Sequence, residues 1–157
     1  MARGLQKGVS AVLVPIESLR PHEKVMEEHV RELMNDIMRD GKLIYPIIVD
    51  RETMIILDGH HRVEALRRLG ARYVPAILVN YRDNGIKVRS WKRNQVVSKE
   101  DVIKAGIEGK LLPPKTSRHI TPFEIPEVNV PLHVLFGGVP HVLKAYRFER
   151  GVQEEGS

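Results

Sequence analysis

Residues 54–70, MIILDGHHRVEALRRLG, constrain the fold more tightly than any other stretch of the chain. Met54, Ile55, Ile56 and Leu57 form an apolar run too short for a helix and rich in β-branched side chains, the pattern of a buried strand. Gly59 permits a turn that other residues resist. Beyond it Val63, Leu66 and Leu69 recur at helical spacing, and Gly70 is placed to stop the helix. Arg67 and Arg68 fall in the last turn, where positive charge suits the helix dipole. Such a strand–turn–helix aims helix N–H groups and the His60-His61-Arg62 triplet at one point, where an anion such as a phosphate would sit. A plain Asp-Gly turn with Asp58 as helix cap is the structural alternative. The added His-His-Arg tips the reading toward an anion site.

Around this unit the pattern alternates between short strands and helices. Ala11 to Ile16 reads as a strand, and Glu17 to Glu23 as a turn, because Pro21 disfavours helix at Arg20 and can open the next one. From Val30 the apolar positions Leu33, Met34, Ile37 and Met38 keep helical phase until Gly41, a stripe assigned to core packing. Pro46–Asp50 and Met54–Asp58 predict two strands joined by an Arg51-Glu52-Thr53 hairpin turn. Tyr73–Tyr81 and Ile86–Trp91 predict two more, with Asp83-Asn84-Gly85 as turn chemistry between them. Ser98-Lys99-Glu100-Asp101 has capping-box spacing at a helix start. The Pro-rich stretch from Leu111 to Pro131 predicts an irregular segment wrapped over the domain.

Composition removes several function classes. The chain has 157 residues and no cysteine, which excludes a disulfide framework, a thiolate metal site and a cysteine nucleophile. A formal net charge of +5 and a pI near 9.6 admit nucleic acid or phosphorylated small molecules without choosing between them. The longest apolar runs are far below membrane-spanning length, and the first residues lack the hydrophobic stretch of a signal peptide, so a cytoplasmic protein with no membrane partner is expected. The absence of cysteine and the high charge also fit a thermophile. Adjacent histidines at a helix start point apart, and no HxxxH or HExxH pattern orders His22, His60, His61 and His119 as a zinc site. The absence of a Walker A sequence excludes the P-loop solution to phosphate binding.

The strand–turn–helix, preceded by Leu19-Arg20-Pro21-His22-Glu23 and a Pro46-Ile47-Ile48-Val49-Asp50 strand, resembles the ParB/sulfiredoxin-like fold, in which such a unit grips nucleotide phosphates. Sulfiredoxins need a cysteine in the equivalent turn. Chromosome-partitioning ParB proteins follow this domain with a helix-turn-helix, which the Pro-rich C-terminal third does not resemble, so nucleic acid is not an expected partner. Within the small-molecule branch the chain is similar to the archaeal free L-serine kinases. The similarity rests on LRPHE, on Leu57-Asp58-Gly59-His60-His61-Arg62, and on Pro113-Pro114-Lys115-Thr116-Ser117-Arg118-His119 running on to Pro122-Phe123, and it extends from about Leu13 to Phe136. Longer archaeal members carry an extra segment between the strand ending near Trp91 and the PKT block, here a short linker with one helix.

The resemblance implies an α/β (α+β) domain over residues 11–136. It would have a small mixed sheet, flanking helices and an irregular Pro-rich substrate-binding segment at 111–124, between a flexible lead at 1–10 and a tail at 137–157. It implies phosphorylation of free L-serine to O-phospho-L-serine with ATP or ADP and Mg²⁺, serving cysteine or related biosynthesis. Glu23 matches the family's catalytic glutamate, and Asp58 is the second carboxylate, orienting the hydroxyl or holding Mg²⁺ through water. Gly59, His60, His61 and Arg62, with Pro46 and Ile47, are expected to hold the nucleotide and its phosphates. Arg118 is suited to a substrate carboxylate through paired hydrogen bonds, with Thr116, Ser117 and His119 as further donors and Trp91 as a pocket wall. The alternatives are a ParB-like nucleotide-dependent DNA-binding protein, with CTP preference, and a ParB-like nuclease.

Overall fold

The computed structural model describes residues 9–137 and the backbone of Arg147–Glu149. A five-stranded mixed sheet in the order β4-β3-β5-β1-β9 organises the molecule. Its strands are β1 (Ser10–Pro15), β3 (Ile47–Asp50), β4 (Ile56–Asp58), β5 (Tyr73–Val79) and β9 (Arg147–Glu149). β5 lies at the centre, antiparallel to β1 and parallel to β3, as its nearly continuous burial requires. The antiparallel β3–β4 pair is the expected hairpin. It is pinned by Asp50, whose buried carboxylate accepts hydrogen bonds from Thr53 N–H, Thr53 Oγ1 and Tyr81 N–H. Met54 takes a left-handed conformation (φ 63°), so β4 begins only at Ile56 rather than at Met54.

α1 (Glu27–Asp40) ends at Gly41 as its pattern requires, the glycine N–H bonding to Ile37 O from a φ of 71°. Val30 and Ile37 are buried and Leu33 and Met34 half-buried, whereas Met38, read as part of the stripe, is 54 % exposed because it turns past the contact face. α2 (His60–Leu69) packs on α1, and Arg68 ties the two helices by pairing with Glu27 and Glu64. α3 (Lys99–Glu108) carries the predicted capping box, with Asp101 N–H on Ser98 Oγ and Ser98 N–H on Asp101 Oδ2.

α3 approaches the sheet at Gly106, where an added Cβ would stand 2.7 Å from Ile55 Cδ1 and 2.8 Å from Ile55 Cγ1. Alanine there gains about 1 kcal/mol of helix propensity, against about 1–3 kcal/mol of overpacking. Gly106→Ala is therefore expected to lower the urea midpoint, the reverse of the usual effect of this substitution in a helix. A higher midpoint would show that Ile55 repacks freely.

Three expectations changed with tertiary pairing. β6 spans only Lys87–Arg89 rather than Ile86–Trp91, and it pairs antiparallel with β7 (Arg118–Ile120), a strand inside the stretch read as irregular. Lys42–Leu43 (β2) and Val130–Pro131 (β8), just before the short α4 (Leu132–Leu135), form a further two-stranded pair. Such brief strands exist only because a distant partner completes their hydrogen bonds, so periodicity does not reveal them. β9 lies within the stretch read as a tail and pairs with β1 at Ser10 to Val12; the remaining parts of the expected lead and tail, 1–8, 138–146 and 150–157, lie outside the described residues. Among the described residues no helix is long and apolar enough to cross a membrane.

Candidate active site

The LRPHE segment is threaded as an extended strip beside β4. Arg20 N–H bonds to Met54 O and Ile56 N–H to Arg20 O on one side, while Leu112 N–H bonds to His22 O and Lys24 N–H to Leu112 O on the other. This double pairing places His22 and Glu23 next to the Pro-rich segment, ninety residues later in sequence but adjacent in space. The result is a cleft of about 370 Å³ walled by Glu23, Asp58, Gly59, His60, His61, Arg62, Trp91, Lys115 and Ser117, with His29, Leu33 and Leu57 completing it.

Glu23, 8 % exposed, sits in a cradle of donors. Lys115 N–H donates to its Oε2 at 2.8 Å, and Ser117 N–H and Oγ–H approach its Oε1 at 3.1 and 2.8 Å. Lys115 holds a left-handed φ of 60°, a strained conformation for a residue with a Cβ, and lines the cleft. Such donors fix the carboxylate in place.

The turn opposite is built around Gly59, the N-cap of α2, at φ 111° with no side-chain cap. A Cβ at this position would lie 2.4 Å from Ile47 Cγ2 and 3.1 Å from an Arg62 guanidinium nitrogen. Backbone strain and overpacking together predict that Gly59→Ala costs about 2–5 kcal/mol. Denaturant titration measures this, and a cost under 1 kcal/mol would show that the turn tolerates a side chain. Asp58 does not cap the helix; its carboxylate pairs with Arg62 one turn on, at 3.3 Å.

The two histidines of the turn depart from the expected cationic role. His60 Nε2 accepts the His22 N–H at 3.1 Å, and His61 Nε2 accepts the Met26 N–H at 3.0 Å. Both rings thus clamp the segment that carries Glu23, and an acceptor nitrogen is an unprotonated one. Burial, reinforced by the neighbouring histidines, holds His60 well below its ordinary pKa, and burial with His29 and Lys115 nearby lowers His61. The cations at the cleft are therefore Arg62 and Lys115.

Pro46 and Ile47 were expected beside the nucleotide. Both are buried, Ile47 completely, and neither lines the cleft; Ile47 is the floor beneath Gly59. The Pro-rich segment divides the expected substrate residues, Arg118 and His119 falling on opposite faces of β7 and Thr116 and Ser117 lying just before it. Ser117 enters the cleft. Arg118 is not part of the cleft lining, but its guanidinium lies 5.0 Å from the centroid of the ring of Trp91, which is, and which is itself 57 % exposed. His119 bonds Tyr81 OH through Nε2 at 2.8 Å, leaving Nδ1 buried without a partner, and Thr116 Oγ1 donates to Pro113 O. Neither of these two lines the cleft. Lys115 and His29 were given no role by the sequence, and His22 was weighed only as a zinc ligand. Lys115 lay within the PPKTSRH block and His22 beside Glu23, whereas His29 offered only its one-turn spacing from Leu33.

Among the described residues no group of three or more His, Asp or Glu side chains is arranged to hold a metal ion. A hard cation at this cleft would have to arrive with its own oxygen ligands, as Mg²⁺ does on a nucleotide, and the half-exposed Asp58 carboxylate is a suitable partner for one of its waters.

Over 89 residues the chain is 36% identical to an ATP-dependent L-serine kinase of Staphylothermus marinus, a match covering 54% of this chain and 35% of that protein. A ParB-like protein of Sulfolobus acidocaldarius is 44% identical over 77 residues, 49% of this chain and 38% of the relative. The aligned stretch thus spans little more than a third of the length of these curated relatives. Among solved structures, a free serine kinase in complex with AMP shares the fold, with a TM-score of 0.77 over 83% of this chain and 95% of that one at 18% identity. The model of the ParB N-terminal domain matches residues 5–90. With more than half of its length so matched, the chain belongs to the ParB N-terminal domain family.

Proposed function

We propose that this domain transfers a phosphoryl group from ATP or ADP to the hydroxyl of free L-serine. The observation that carries the reading is the placement of one nearly buried carboxylate, Glu23, in the same cleft as the uncapped N-terminus of α2 and the cations Arg62 and Lys115. A serine hydroxyl is a poor nucleophile, and a positioned carboxylate accepts its proton as the oxygen attacks phosphorus. The α2 N–H groups, Arg62 and Lys115 offset the charge on the transferred group. Arg118, stacked on the Trp91 ring of the cleft wall, would take the amino acid's carboxylate through paired hydrogen bonds. Mg²⁺, carried by the nucleotide and touched by Asp58 through water, would neutralise phosphate charge. The kinase names of the relative and of the structural neighbour support the same reading.

Purified protein incubated with L-serine, Mg²⁺ and either ATP or ADP is expected to form O-phospho-L-serine with at least one donor. No product with either, at elevated temperature as well, removes the proposal. The second reading, a nucleotide-dependent DNA-binding protein, is favoured by the ParB family match and the +5 charge. It expects duplex DNA affinity that falls steeply with salt.

A further inference from the structure

Glu23 is not the end of its hydrogen-bond chain. His22 is completely buried, and its Nδ1 lies 2.7 Å from the Ile56 carbonyl oxygen. A carbonyl only accepts, so Nδ1 carries a proton. The other ring nitrogen, Nε2, is 2.8 Å from Ser117 Oγ, which is in turn 2.8 Å from Glu23 Oε1. Nε2, Oγ and Oε1 therefore make two contacts of hydrogen-bond length in a row. Each contact needs a proton, and the serine hydroxyl has one. With a neutral imidazole and an ionised carboxylate, one contact sets lone pair against lone pair. One additional proton, at either end, completes both bonds.

We propose that His22, Ser117 and Glu23 form a single proton-holding unit, in which the Ser117 hydroxyl passes the proton taken up at Glu23 on to His22 Nε2. This rests on the reading of Glu23 as the base of the proposed kinase. The substrate O–H bond breaks and a Glu23 Oε1–H bond forms. That proton moves to Ser117 Oγ while the serine's own proton moves to His22 Nε2. Glu23 is again a carboxylate, Ser117 again a hydroxyl, and His22 an imidazolium 3.8 Å from the carboxylate. The reverse transfer returns the proton to Glu23 and to water once product has left. No electrons change hands, and His22 acts as a positioning residue that never touches substrate.

The surroundings suit this exchange. Burial lowers His22 to about 4, so at neutral pH its Nε2 holds the extra proton only transiently and returns it readily. The rings facing His22 are His60 of α2 at 4.5 Å and His119 of β7 at 5.9 Å, both held neutral by burial, so neither opposes the imidazolium. From the Pro-rich loop, Lys115 contributes its backbone N–H to the other Glu23 oxygen, and its ammonium is the nearby cation at the cleft.

The decisive measurement needs no substrate. In isotopically labelled protein titrated between pH 3 and 8, the ring nitrogens of His22 and the carboxyl carbon of Glu23 are expected to follow one common midpoint, as sites sharing a proton do. Ser117→Ala should split the two midpoints by about one pH unit or more, and Ser117→Thr, which retains the hydroxyl, should keep them together. Separate midpoints in the wild type, or no change in Ser117→Ala, overturn the proposal. In activity, His22→Gln supplies a permanent donor to Ser117 Oγ and so favours the ionised carboxylate. The acid limb of the kcat profile should then move about one pH unit lower, with KM for serine little changed; an unmoved limb also overturns the proposal. If the wild type phosphorylates no serine, the kinase reading fails while the resonance titration still decides the shared proton.

Discussion

Glu23→Gln is expected to lower kcat for L-serine phosphorylation by about 10²–10⁴-fold, the usual contribution of a positioned general base. Both carboxylate oxygens accept backbone N–H groups, Oε2 from Lys115 and Oε1 from Ser117. A glutamine must therefore turn its NH₂ toward one of these donors, leaving an opposed pair of N–H groups at a cost of about 1–3 kcal/mol. The variant is expected to be folded but less stable. Nucleotide affinity should change less than tenfold, because the α2 N-terminus and Arg62 stand on the other wall of the cleft. Isothermal titration with AMP and a thermal melt separate these effects. Serine phosphorylation within threefold of wild type would remove Glu23 from the mechanism.

The second large effect is acid instability. His22, His60 and His119 are buried and neutral, with pKa values lowered by burial to about 4 for His22, well below the ordinary value for His60, and to about 3 for His119. An unfolded histidine titrates near 6.5. Below that pH the unfolded chain takes up protons that the folded chain refuses, so stability falls as pH falls. It is retained above about pH 6.5 and lost progressively down toward the folded values. His22 and His119 alone give a slope on the order of 3 kcal/mol per pH unit between about pH 6 and 4.5, and His60 acts in the same direction. Protonation of His60 or His61 also removes the acceptor that clamps His22 or Met26, so the segment carrying Glu23 should be released first. Urea midpoints across this range test the slope, and a flat profile from pH 7 to 5 would contradict it.

Local sequence was sufficient wherever a signal is completed within a few residues. The strand–turn–helix at Asp58-Gly59, the stop at Gly41 and the capping box at Ser98 depend on neighbours one turn away, so their residues carry the whole instruction. Motif resemblance likewise brought Glu23, the His-His-Arg turn and the PPKTSRH block into one hypothesis, and the folded chain assembles most of them around one cleft.

What residues 117–119 face was decided elsewhere. β7 exists because β6 supplies its hydrogen bonds, and within it Arg118 turns onto Trp91 and His119 to Tyr81, while Ser117, just before the strand, enters the cleft. The roles of the histidines followed the same rule. Sequence placed His60 and His61 at a helix start, where charge would serve a phosphate, but the strip at residues 20–26 brings backbone N–H donors to both rings and makes them neutral acceptors. Residue order by itself determined which side chains could form the site and the local bends that present them. Tertiary structure alone decided their protonation and their partners, because burial and hydrogen-bond complementarity arise only when segments distant in sequence share the same space.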